Sequence, residues 1–65
     1  MKEVSDKILK AMQDAGISYG ELSKKTGISK SALQRYTTGA TEKLPLPRLE
    51  AIADALHIPT SYLMG

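Results

Sequence analysis

The chain predicts an all-α fold of five short helices in a single domain, residues 1–65, and three observations predict it. Apolar residues recur at three- and four-residue spacings along its leading and later stretches. Ser and Gly stand where helices would start and stop. The apolar fraction of 42% includes only three aromatics, all Tyr, which suits a small helical core of Leu, Ile, Ala and Met. The expected helices run about 3–15, 18–25, 29–37, 47–56 and 59–64, with no strand.

In the first helix Val4, Ile8, Met12 and Ala15 form the apolar stripe, with Leu9 and Ala11 beside them. Glu3 and Asp6 lie favourably near its positive N-terminal end, and Gly16 stops it. Ile17 is placed as a hydrophobic staple ahead of a Ser18 cap, and Ser18 with Glu21 spells a capping box. Leu22 anchors the second helix, and Gly27 ends it in the conformation glycine tolerates best. Ser29 caps the third helix, Leu33 and Tyr36 give it an apolar face, and Gly39 closes it. Ala40 to Leu46 is a loop, since Pro45 and Pro47 forbid continuous helix. Pro47 fits the first position of the fourth helix, whose apolar face is Leu49, Ile52, Ala53 and Leu56. Ile58-Pro59 breaks it, and Pro59 or Thr60 opens a last turn from which Tyr62 and Leu63 fold back on the core.

At 65 residues the chain is near the lower limit for folding without staples, and it has no cysteine for disulfides or thiolate metal sites. No run approaches the roughly 18 apolar residues of a membrane span, and no signal-peptide pattern is present, so a cytoplasmic protein with no membrane partner is the expectation. His57 stands alone with no second ligand at metal spacing. The carboxylates are scattered, and neither a Ser/His/Asp arrangement nor a phosphate-cradling glycine loop occurs. No enzyme, cofactor or metal site is expected.

The distribution of charge says more than its net value of +2. Residues 1–17 balance to zero. Residues 18–43 carry Lys24, Lys25, Lys30, Arg35 and Lys43 against Glu21 and Glu42, a net +3, and residues 44–65 sum to −1. The positive excess therefore falls in and just after the two central helices, where phosphates would be neutralised. Those helices, joined by a tight Gly-containing turn, have the spacing of a helix-turn-helix, and small Ser23 lets them cross closely. An ordinary αα-hairpin shares the spacing, but here the donors Lys30, Ser31, Gln34 and Arg35 cluster on one face, which favours nucleic acid.

This segment resembles the helix-turn-helix of lambdoid phage repressors and related Cro/C1-type (XRE-like) bacterial regulators. The likeness extends over nearly the whole chain and is closest at Ser18 to Leu22, Gly27-Ile28-Ser29, Gly39 and Leu49-x-x-Ile52-Ala53-x-x-Leu56-x-Ile58. It implies a lambda-repressor-like five-helix domain that binds operator DNA as a transcriptional repressor or regulator, as a two-fold dimer on a pseudo-palindromic site. The rival expectation is a protein-interaction module on the same fold, antitoxin-like or accessory. The chain is either one domain of a longer repressor, followed by a linker and C-terminal domain, or a small stand-alone regulator.

The expected base contacts are Lys30, Ser31, Gln34 and Arg35: Arg and Lys match guanine acceptors and Gln matches adenine, while Ala32 can meet a thymine methyl. Ser31 falls on a position that contacts bases in the resembling repressors. The expected backbone contacts are Ser18, Tyr19, Ser29, Thr38 and Lys43, with Ser18 and Tyr19 at a helix N-terminus that favours anions. Where this chain has Tyr19 the family often carries Gln, and a phenol there either donates to phosphate or packs on the surface. Lys24 and Lys25 read as general electrostatic surface. Many resembling repressors pair an Arg late in the first helix with a Glu near the end of the reading helix. Here those positions are Met12 and Thr37, so Met12 is expected to pack against the end of that helix near Thr37 or Tyr36.

Overall fold

A computed structural model of the protein describes residues 2–40 and 43–64. Its helices are α1 (Lys2–Ala15), α2 (Tyr19–Thr26), α3 (Lys30–Thr38), α4 (Leu46–Ala55) and α5 (Thr60–Met64), and no strand occurs among the described residues. Each boundary lies within one residue of its expected place because the local chemistry that stops and starts a helix is present in the sequence. Gly16 (φ +67°) ends α1 with paired bonds from Gly16 N–H to the Gln13 carbonyl and from Ile17 N–H to the Met12 carbonyl, a Schellman closure. Ser18 and Ser29 cap α2 and α3, their Oγ atoms accepting from the N–H groups of Glu21 and Ala32 at 3.2 Å. Only the serine half of the expected Ser18–Glu21 box is made among the described residues. Thr26 ties the turn together: its hydroxyl donates to the Leu22 carbonyl at 2.8 Å and accepts from Ile28 N–H at 3.1 Å.

Three expectations shift. Pro47 is not the first residue of α4; Leu46 is, and Pro45 stands at the cap with extended backbone (φ −56°, ψ 140°). The Pro45 carbonyl accepts from both Arg48 and Leu49 N–H at 3.0 Å, and Pro47 has no N–H to satisfy, so α4 starts without a side-chain cap. Tyr62 does not join the core: 46% of it is exposed, while Leu63 is buried. The Lys7 ammonium instead sits 5.4 Å from the Tyr62 ring centroid and donates to the Tyr62 carbonyl at 3.1 Å. The buried stripe of α1 is Ser5, Ile8 and Met12, with Val4 half-buried and Ala15 exposed, so a polar residue occupies a core position.

The core is a single cluster drawn from all five helices and the turn: Ile8 and Met12, Leu22, Ile28, Leu33 and Tyr36, Leu49, Ile52, Ala53 and Leu56, and Leu63. α3 packs on both α1 and α2, α4 rests on α2, and α5 closes against α1 and α4. Half-buried Ser23 lies on α2, which is wedged between α3 and α4, consistent with the need for a small residue there. His57 has φ +57°, the left-handed conformation, at the end of α4. Bonds from His57 N–H to Asp54 and from Ile58 N–H to Ala53 complete the same closure that glycine makes after α1. Its place is explained by backbone geometry. No described helix is long and apolar enough to cross a membrane.

Candidate nucleic-acid interface

α3 buries Leu33, Tyr36 and Thr37 and turns Lys30, Ser31, Gln34, Arg35 and Thr38 outward, all exposed. At about 100° per residue the outward five occupy an arc of about 140°, one continuous face. No carboxylate lies on α3, so this face offers donors with no internal acid to occupy them. The sequence-expected base contacts therefore share a single face.

The backbone-contact candidates divide between two places. Ser29 and Lys43 join Ser31 and Arg35 around a groove of about 330 Å³ along one flank of α3, whose walls also include Ala32, Tyr36 and Arg48. Glu42 and Thr41, in the loop expected along the backbone, lie outside the described residues. Ser18 and Tyr19 lie at the start of α2, beside a separate, largely apolar hollow of about 400 Å³ lined by Leu9, Met12 and Ile17. Lys30 leans toward that end of α2. A Cβ built on Gly20 would lie 4.0 Å from Lys30 Cδ and 3.9 Å from Ser18 Oγ, so the lysine stem passes close to the α2 cap.

Proton counting separates the hydroxyls. Ser18 and Ser29 only accept in their caps, so each keeps its own proton for an outside acceptor. Thr38 spends its proton on the Gln34 carbonyl at 2.8 Å within its own helix, which leaves it as an acceptor unless that bond breaks. Tyr19 departs further from the phosphate-donor expectation. Its phenol lies 2.7 Å from Thr37 Oγ1 in a half-buried contact. Thr37 gives its single proton to the Gln34 carbonyl at 3.1 Å, so with both bonds made Tyr19 is the donor to Thr37. The Tyr19 proton is turned inward, and the ring bridges α2 to α3. Met12 and Thr37 are both buried, on helices that pack together, and Tyr19 is the side chain that reaches the Thr37 hydroxyl.

Sequence reasoning missed Arg48. Its Nη1 donates to the Tyr36 phenol oxygen at 2.7 Å, joining the start of α4 to the buried anchor of α3. The two residues are separated by twelve positions in the chain, across the loop, and no local pattern links them.

The wider likeness agrees with this geometry. No curated protein matches the chain. Among solved structures, the fold matches the crystal structure of the master regulator for biofilm formation SinR in complex with DNA, with a TM-score of 0.90 at 22% identity, covering 95% of this chain and 98% of that one. A family model of the Cro/C1-type HTH DNA-binding domain matches residues 7–64, from within α1 to the end of α5, and the chain belongs to that family.

Proposed function

We propose that the protein binds double-stranded DNA sequence-specifically as a transcriptional regulator of the repressor kind, with α3 in the major groove. The observation that carries this reading is the outer face of α3, rich in donors and free of carboxylates, backed by a buried inner face that fixes its orientation. Arg35 and Lys30 supply the donors that pair with guanine O6 and N7, and Gln34 the amide that pairs with adenine; Ser31 reaches either, and Ala32 sits at the edge for a thymine methyl. Ser18, Ser29 and Lys43 serve the sugar-phosphate backbone, the serines through protons their caps leave unused. Thr38 serves it only as far as its helix bond yields, and Tyr19 acts through Thr37 instead of touching phosphate.

Dimers of this motif set their reading helices about one DNA turn apart, roughly 34 Å, so half-site centres about 10 base pairs apart are expected, with two copies assembling on a pseudo-palindrome. The protein-interaction reading would need a large exposed apolar surface. The large apolar side chains most exposed among the described residues are Leu46, Tyr62 and Met64, all outside the helix-turn-helix, and they do not favour it over DNA.

Selection of bound sites from random duplexes tests the assignment. Arg35→Ala should cost about 1–3 kcal/mol on the selected site and relax base choice at one position. Lys43→Ala should weaken all sequences alike and lower the salt slope by about one. An unchanged site preference in Arg35→Ala refutes α3 as the reader.

A further inference from the structure

The groove beside α3 contains a bond that the reading helix alone does not need. Arg48 Nη1 donates to the Tyr36 phenol oxygen at 2.7 Å, and an arginine can only donate. The phenol oxygen is therefore the acceptor, and its own proton has no acceptor among the described residues. Tyr36 is 6% exposed and is among the groove's walls, so an acceptor from outside reaches its hydroxyl by way of the groove. The guanidinium, fixed at one nitrogen, keeps its other N–H groups, and Arg48 is exposed. Two donors of different kinds thus sit together in a groove that Arg35 and Lys43 also line, with the Ser29 and Ser31 hydroxyls, and no carboxylate is among its described walls.

We propose that Tyr36 and Arg48 together clamp one backbone phosphodiester of the bound DNA, the phenol O–H and the guanidinium donating to its two non-bridging oxygens. The inference rests on the DNA-binding reading and adds to it a residue from α4, outside the helix-turn-helix. A phosphate fits where a base does not. The clamp lies at the flank of α3, where the Ser31–Arg35 edge of its exposed row meets the start of the next helix, to one side of Lys30 and Gln34, which are not among the groove's walls. A phosphodiester also accepts from both donors at once, each bond charge-assisted by the phosphate's negative charge, and the guanidinium adds a cation that the phenol lacks. Tyr36 is then both core anchor and ligand, and it holds Arg48 ready before DNA arrives.

The test measures affinity against salt concentration on a duplex selected by the wild-type protein and on an unrelated duplex, with thermal melts to establish that each variant folds. Arg48→Gln should lose about tenfold in affinity on both duplexes and lower the salt slope by about 0.9, one phosphate's share, with site preference unchanged. Arg48→Lys should keep the slope. Tyr36→Phe, which retains the buried ring, should keep the slope and lose affinity severalfold, and it should cost much less when Arg48 is already Gln. A wild-type slope in Arg48→Gln overturns the clamp, and so does an altered base preference, which would make Arg48 a base reader. If the wild-type protein retains no duplex at all, the DNA-binding reading itself fails. A clamp that fails while the wild-type protein still selects sites leaves that reading intact.

Discussion

Removing one oxygen from Tyr19 should separate a structural hydrogen bond from a DNA contact. In the free protein the Tyr19 phenol and Thr37 Oγ1 lie 2.7 Å apart, half-buried, between the first and second helices of the motif. Tyr19→Phe deletes the donor and leaves Thr37 with its Gln34 bond, so the loss is that of one neutral hydrogen bond, about 1 kcal/mol. Thr37→Val deletes the acceptor and leaves a phenol proton that water reaches only in part, again about 1 kcal/mol or somewhat more. With both oxygens gone no polar group is stranded. The double variant should therefore lose little more than either single one, a coupling of about 1 kcal/mol. For a domain of this size each such loss moves the melting temperature by about 4–8 °C. Urea denaturation followed by circular dichroism, with the slope unchanged, gives the four free energies of the cycle. Losses that add to within about 0.5 kcal/mol would refute the bond as drawn. DNA titration of the same variants supplies the second arm: after allowance for stability, Tyr19→Phe should bind DNA like the wild type. A normal melt combined with weakened binding would return Tyr19 to the phosphate.

Two further substitutions test the scaffold. His57 holds the left-handed position after α4, so His57→Gly should raise stability by about 0.5–1 kcal/mol in denaturant titration; no gain, or a loss, would mean that its imidazole makes a compensating contact. Ser5 is 1% exposed, and its Oγ has no hydrogen-bond partner among the described residues. Ser5→Ala should therefore be neutral or stabilise by up to about 1 kcal/mol through removal of a stranded hydroxyl and better helix propensity, and a clear loss of stability would contradict that.

The parts of this fold that were legible in the sequence are those decided within four or five residues. A serine cap binds an N–H three positions on, and a glycine closes a helix through carbonyls three to five positions back, so Ser18, Ser29, Gly16, Gly27 and Gly39 announce helix ends unaided. The same range brought out the donor face of α3, because spacing along one helix fixes which side chains point together. His57 escaped because residues other than glycine seldom adopt left-handed backbone, and the apolar pattern of α4 continues up to its neighbour. Ser5 escaped because a stripe read by apolar residues follows Val4 when the packing against α3 favours the adjacent position. Near that packing, a Cβ on Gly39 would meet Ser5 Oγ at 3.9 Å. What decides Tyr62 is likewise tertiary: α5 is a single short turn, and burying Leu63 on its inner side leaves the preceding ring beside Lys7.

Arg48 escaped for a related reason, and the two motif tyrosines show how far it reaches. Both carry a phenol on a helix of the motif, and the sequence leaves Tyr19, at a helix N-terminus, as either a phosphate donor or a surface-packing ring, with Tyr36 as core. Under the proposed clamp the partners reverse the assignment. Thr37 already donates to a backbone carbonyl and so can only accept from Tyr19, which draws that proton inward. Arg48 can only donate, so it takes a lone pair of Tyr36 and leaves the phenol its own proton, on a residue that lines the groove. Neither partner is near in sequence: one lies eighteen positions away and the other twelve. On that proposal the crossing of α2 on α3, and the placement of α4 that brings Arg48 to Tyr36, decide which phenol is available to an anion. Exposure alone would have ranked them the other way.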